Sequence, residues 1–389
     1  MKKINFDHIS VNPMPPQVQE AMISAIKENY GNPSSLNASG EQAAEVLENA
    51  RRQVAGLINC KNVKETIFTS GGTESVNHAI KGIAFANAEK GKHIVTSNIE
   101  HSSVIRSIKR LTQLGYKATS VSVNKKGRVN PQDIKKAITD ETILVSVMHG
   151  NNEIGTIQPI EEIAEITKEK KIPFHSDAVD TVGVIPVDVQ KLGVDILSFA
   201  SNPYCGPTGV GGLYIRRGLN VWAMFDGGIQ EKNKRAGTEN LIGIIGMGAA
   251  AQLATEEMNK RAEHLKSLKK LLISELPSYI DEYIINGDPE NSLQNLISVS
   301  IQYIEGESIL LMLEDEGYIV STRSACATGS LRASHVLLSI GLKHEDAQGT
   351  IVITPGIENT KQDIIGFLKA LKKIVNTLRD ISPLYKRKE

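Results

Sequence analysis

TIFTSGGTESVNHAIKG, residues 66–82, decides the fold. TIFTS is a short β-branched run of strand type, the paired glycines break it, and ESVNHAIKG resumes with helical periodicity. Strand, tight turn and helix thus follow within one short stretch. Working outward, the same strand signal recurs in HIVTSN (93–98), ATSVSV (118–123), TILVSVMH (142–149), IPFHSDA (172–178), DILSFAS (195–201) and GGLYIRR (211–217), with helical patterns between. That alternation predicts a mainly parallel sheet covered by helices, an α/β architecture. A helical stretch from Glu239 to about Leu276 then reads as a connector. Beyond it the style changes, with NLISVSI (295–301) and GTIVITPG (349–356) set between helices, including TKQDIIGFLKALKKIVNTLRD from Thr360. We expect a large α/β domain over residues 14–260 and a smaller α+β domain formed by 1–13 with 261–389.

A chain of 389 residues can bury a large core. Lys plus Arg equals Asp plus Glu at 44 each, so there is no general basic field to attract nucleic acid or an anionic membrane. Small molecules or a protein partner are the expected ligands. The start is not basic-then-apolar, and LIGIIGMGAAAQLA from Leu241 is too short and glycine-rich to cross a bilayer, so a cytoplasmic location is expected. Cys60, Cys205 and Cys326 are an odd set without CxxC spacing. They supply neither a disulfide framework nor a self-contained zinc or iron–sulfur site. Cys60 and Cys205 read as small buried hydrophobes. Cys326, in STRSACATGS (321–330), sits among small and hydroxyl-bearing residues with Arg323 three positions before it. A nearby guanidinium favours the thiolate, the form that attacks electrophiles and binds metals, and both roles remain open.

GNPSS (31–35), FTSGGTES (68–75), EHSSV (100–104), MHGNNEIGTIQPI (148–160), HSDA (175–178), KRAGTEN (234–240) and SACATGSL (324–331) together carry a resemblance that runs nearly end to end. In number, order and spacing these stretches resemble the cysteine desulfurases of the IscS/NifS type, class V aminotransferases that use pyridoxal phosphate (PLP). The resemblance implies a PLP-transferase-like large domain of the aspartate aminotransferase fold type I, a small domain and a homodimer. It also implies a cofactor pocket. His101 would stack on the ring, Asp177 would face the pyridine nitrogen, and Asn152 would complete the ring contacts. Gly72, Thr73 and, across the dimer, Thr238 would hold phosphate, and the GGT turn before a helix offers backbone N–H groups suited to an anion.

The sequence departs from the family pattern where the chemistry is done. The lysine that forms the Schiff base three residues before the Gly-Pro of GPxG is Pro203 in SFASNPYCGPTG, the neighbouring phosphate-binding histidine is Asn202, and the serine before that is Ala200. No lysine occurs between Lys191 and Lys232. A glutamine that donates to the cofactor phenolate oxygen is Asp180, whose charge would repel it, and the arginine that clamps the substrate carboxylate is Val352. The expectation is a vestigial pocket with PLP absent or non-covalently bound; some archaeal members of the family it resembles also lack the lysine, and SPLYKRKE is similar to their C-termini. In an active desulfurase the equivalent of Cys326 carries sulfur as a persulfide to an IscU-type scaffold. Without the PLP step it can still bind iron, and three scattered cysteines cannot supply the usual four cluster ligands. Two functions follow as expectations. One is an iron–sulfur assembly component that lends Cys326 as a cluster ligand to an IscU-type scaffold. The other is a PLP-dependent cysteine desulfurase that forms a persulfide on Cys326.

Overall fold

The computed structural model describes residues 3–10, 12–28, 31–322 and 333–385. A short strand, β1 (Ile4–Asn5), opens the chain. Then β2 (Thr66–Thr69), β3 (His93–Ser97), β4 (Lys117–Val121), β5 (Thr142–Ser146), β6 (Phe174–Asp177), β7 (Ile196–Ala200) and β8 (Gly211–Ile215) build a seven-stranded sheet in the order β2-β8-β7-β6-β5-β3-β4. β3 to β7 pair in parallel, and β8 runs antiparallel between β2 and β7. The expected α/β architecture is therefore present, with β8 the exception to parallel pairing.

Successive residues on a strand face opposite sides, and here both sides are apolar. Ile67, Ile94, Leu144, Ile196 and Leu213 face one core with the helices Gly72–Ala86 and Ser102–Thr112. Their neighbours Phe68, Val95, Val145, Leu197 and Tyr214 face a second core with the helices Ala38–Leu57 and Ile160–Lys170. Only β4 breaks the pattern: Lys117 to Ser120 are exposed, as suits the last strand of a sheet.

The helix Leu241–Glu275 matches the expected connector. Leu241, Ile244, Met247, Ala250, Ala251 and Ala254 pack in the second core, whereas Leu268 and Leu272 belong to a third. The expected division at 260/261 falls inside this helix. The third core is completed by a four-stranded antiparallel sheet and by the helix Lys361–Ile381. Its strands are β9 (Tyr283–Asn286), β10 (Ile297–Ile301), β12 (Ser321–Thr322) and β13 (Thr350–Ile353), in the order β12-β13-β10-β9. The remaining strand, β11 (Tyr318–Ile319), pairs in parallel with β1, which ties the start of the chain to this region. Among the described residues no helix is long and apolar enough to cross a membrane.

Candidate functional site

Ligands of open α/β sheets bind beyond the carboxyl ends of parallel strands, where the winding changes direction. Strands β2, β6 and β7 end here around one cavity of about 290 Å³. Its lining brings together Gly72, Thr73, His101, Asn152, Asp177 and Asp180, six of the residues singled out in the sequence. Thr238 is not brought to it within one chain. It lines a separate cavity with Thr69, Ser70 and Arg235. Arg323 and Cys326 lie outside the described residues.

The helix Gly72–Ala86 starts at the cavity wall and follows Gly71 at φ +150°. A Cβ on Gly72 would come within 2.5 Å of Val179 Cγ2, so the helix N-terminus lies close against this wall only because Gly72 has no side chain. Opposite, His101 caps the helix Ser102–Thr112: its Nδ1 accepts from the Ser103 N–H at 3.2 Å. Asp177 ends β6 almost wholly buried, and burial pushes its carboxyl up to about 6 although the Val179 N–H donates to it at 3.1 Å.

Beneath His101 lies Glu100, quoted in the sequence motif but given no role there. It is fully buried and accepts from Ser97 Oγ at 2.5 Å and from the Met148 N–H at 3.0 Å. Burial pushes its carboxyl up to about 8 in spite of these donors, and the nearby Asp177 charge adds to the rise. His149 and His175 are neutral for the same reason, lowered by burial to about 4 and about 3. Their rings are held by the Thr181 hydroxyl, and by the Ser146 and Ser198 hydroxyls, respectively.

The Glu100 shift has a testable sign. Its folded pKa of about 8 lies above the ordinary 4.5, so the native state binds the extra proton and stability falls as pH rises between those values. Glu100→Gln should remove that contribution, so the variant's melting temperature should gain on wild type as pH rises from 5 to 8; His149 and His175, lowered by burial, make stability rise with pH up to their ordinary 6.5 in both proteins and cancel from the comparison. At pH 8 the variant should melt higher than wild type by about 2–4 °C. A melting-temperature difference between variant and wild type that does not grow over this range would contradict the assignment.

The turn after β7 is the 3-10 segment Asn202–Tyr204, closed by Cys205 in the left-handed region at φ 68°. Asn12 spans it from the N-terminal arm: its Nδ2 donates to the Asn202 carbonyl at 3.1 Å and to the Pro203 carbonyl at 3.3 Å. Ile9 and Ser10 of that arm also line the cavity, a contribution no sequence signal announced. Val352 is fully buried on β13 beside Leu293 and Leu296, with Ile9 packed against the same cluster.

The donor set decides what the cavity can hold. The bare helix N-terminus at Gly72 and Thr73 suits an anion. Among the described residues the rest of the lining offers two carboxylates, Asp177 and Asp180, with hydroxyl and amide groups, and no lysine or arginine. A Schiff base needs an amine, and the described lining supplies none. Among the described residues no group of three or more His, Cys, Asp or Glu is placed to hold a metal ion. Cys60 and Cys205 are buried, and burial raises both thiols, Cys60 to about 11, so neither is a ready thiolate.

Comparison with known proteins bears on this geometry. The model of the family described as aminotransferase class-V matches residues 4–367. A cysteine desulfurase IscS of Dictyoglomus turgidum is 49% identical over 382 residues, covering 98% of this chain and 97% of that protein. The cysteine desulfurase IscS of Methanosarcina thermophila is 45% identical over 383 residues, covering 98% and 94%. Among solved structures, a NifS-like protein superimposes with a TM-score of 0.91 at 36% identity, covering 97% of this chain and all of that one.

Proposed function

The chain belongs to the class-V aminotransferase family, and from that premise we propose that it is a degenerate cysteine desulfurase of the IscS type acting in iron–sulfur cluster assembly. It lends Cys326 as one ligand to a cluster whose other ligands belong to an IscU-type scaffold. One observation carries this reading: among the described residues, the cavity that gathers Gly72, Thr73, His101, Asn152, Asp177 and Asp180 is lined by no lysine. The family position for that amine is Pro203, whose ring nitrogen is already committed to the backbone. Asp180 and the buried Val352 add to the loss, one by placing a carboxylate where the family has an amide donor, the other by replacing a bidentate cation with an aliphatic surface. A charge-assisted hydrogen bond contributes about 1.5–3 kcal/mol and general base catalysis about 10² to 10⁴ in rate, so the combined losses take PLP-dependent desulfuration far below useful turnover.

Cys326 needs no cofactor to bind iron. The small and hydroxyl-bearing residues of STRSACATGS, with Arg323 three positions before Cys326 in the sequence, favour the thiolate. The remaining cysteines, buried and protonated, cannot complete a site with it, which calls for ligands in trans. The protein acts as a cytoplasmic homodimer in which Thr238 of each copy approaches the other's vestigial pocket.

A second reading is favoured by the retained helix N-terminus, His101 and Asp177, and by relatives named as cysteine desulfurases. In it the chain binds PLP non-covalently and forms a persulfide on Cys326. Borohydride treatment of the protein as purified, followed by intact mass measurement, separates covalent attachment from its absence. The proposal expects the unmodified mass. A stable pyridoxyl adduct at unit stoichiometry would overturn it.

A further inference from the structure

A second concave region lies at the opposite end of the seven-stranded sheet. Strand register places Thr69, Gly211 and Ala200 side by side at the end bearing the cavity described above, and Thr66, Tyr214 and Ile196 toward the other. At that far end a cavity of about 690 Å³ opens between the segment before β2 and the segment after β8. Lys64, Arg216, Arg217, Lys232 and Lys234 line it, against a single carboxylate, Glu65. In a chain whose charges balance at 44 each, this is a local concentration of one sign.

Little in the protein compensates it. Arg216 pairs with Asp195 at 3.3 Å, and Glu65 is engaged by the backbone N–H of Arg217 at 2.8 Å. Among the described residues Lys64, Arg217, Lys232 and Lys234 form no ion pair. The ammonium groups of Lys232 and Lys234 donate instead to the Lys64 and Val221 carbonyls at 3.3 and 2.8 Å. Burial holds both lysines below their ordinary value, and for Lys232 the like charges of Arg51 and Lys64 add to this while Glu231 and Glu48 oppose it. An anion in the cavity would relieve that crowding.

The backbone carries an independent sign. Glu231, Lys232 and Asn233 take φ of 45°, 58° and 62°, three successive non-glycine residues in the left-handed region. L-residues visit that region singly and at a cost, and such outliers concentrate where a side chain must be aimed. This turn sets Lys232 at the cavity wall, while the buried Glu231 anchors it from within.

We propose that this cavity binds a di- or triphosphate chain. Several uncompensated cations spread along one wall match a multiply charged ligand better than a single anion. The concavity matches a small molecule, and Ile67, Ile215 and Leu219 give an apolar surface for whatever group bears the phosphates.

Isothermal titration of the full-length protein at about 0.15 M salt tests this with sodium triphosphate, ATP, inorganic phosphate and hexaglutamate. Triphosphate should bind saturably and at least about tenfold more tightly than inorganic phosphate, the scale of one charge-assisted hydrogen bond. Arg217→Ala and Lys232→Gly should each weaken it by at least about fivefold. ATP matching triphosphate supports recognition of the phosphate chain alone, and ATP exceeding it supports a seated base as well. Glycine suits the left-handed backbone, so Lys232→Gly should not lower the melting temperature, and its loss of binding reports charge, not misfolding. No saturable binding, unchanged affinity in both variants, or hexaglutamate equal to triphosphate would overturn the proposal.

Discussion

Arg51→Ala should lower the unfolding free energy by about 3–5 kcal/mol, the range for breaking one side of a buried ion pair. Arg51 and Glu231 have side chains only 2% exposed, and their two hydrogen bonds are 2.6 and 2.8 Å long. Burial works against the guanidinium charge, and the Glu231 carboxylate more than offsets it. The pair is also a junction. Arg51 donates to the Thr66 carbonyl and stacks over the Phe68 ring at 4.7 Å, while Glu231 accepts from the Phe68 N–H at 2.8 Å. The helix Ala38–Leu57, β2 and the left-handed turn at 231–233 therefore meet in one polar knot inside an apolar core. Removing Arg51 leaves Glu231 buried without its cation and releases the contact that holds the turn. Denaturant unfolding measures the cost, and limited proteolysis should show new cleavage near residues 229–234. A loss under about 1 kcal/mol would mean the pair behaves as a surface contact and does not anchor the turn.

This knot shows what the sequence could not disclose. Arg51 and Glu231 are 180 positions apart, and neither stands in a motif that pairs them. Long-range polar contacts leave no periodic trace, whereas the apolar pairs Ile67/Phe68, Leu144/Val145 and Leu213/Tyr214 announce a strand buried on both faces. The same contrast holds at the candidate site. Gly72 was legible from its turn before a helix, and His101 and Asp177 through short motifs that resemble the family's, because such motifs are local. Glu100 stood in the quoted EHSSV stretch, but its significance comes from full burial against Met148, which no local pattern encodes. Ile9 and Ser10 reach the cavity through the N-terminal arm, a matter of tertiary path alone. The antiparallel β8 was hidden for a related reason: GGLYI reads as a buried strand in either direction, and its orientation follows from the connection over 201–210 that returns the chain beside β7.

Cys326 tests the central proposal most directly. A cluster thiolate replaced by alanine removes one of the four ligands that such clusters ordinarily need, so the expected effect is near-complete loss of the shared cluster. Cys60→Ala and Cys205→Ala remove only buried, protonated thiols and should leave it intact. The measurement is anaerobic reconstitution of the complex with an IscU-type scaffold, using iron and sulfide, followed by absorption and Mössbauer spectroscopy. Size-exclusion chromatography of the same samples reports whether the two proteins remain together. The account predicts a cluster in the wild-type complex, none in the isolated chain, and its loss in Cys326→Ala with the proteins still associated; an unchanged cluster in Cys326→Ala would contradict it.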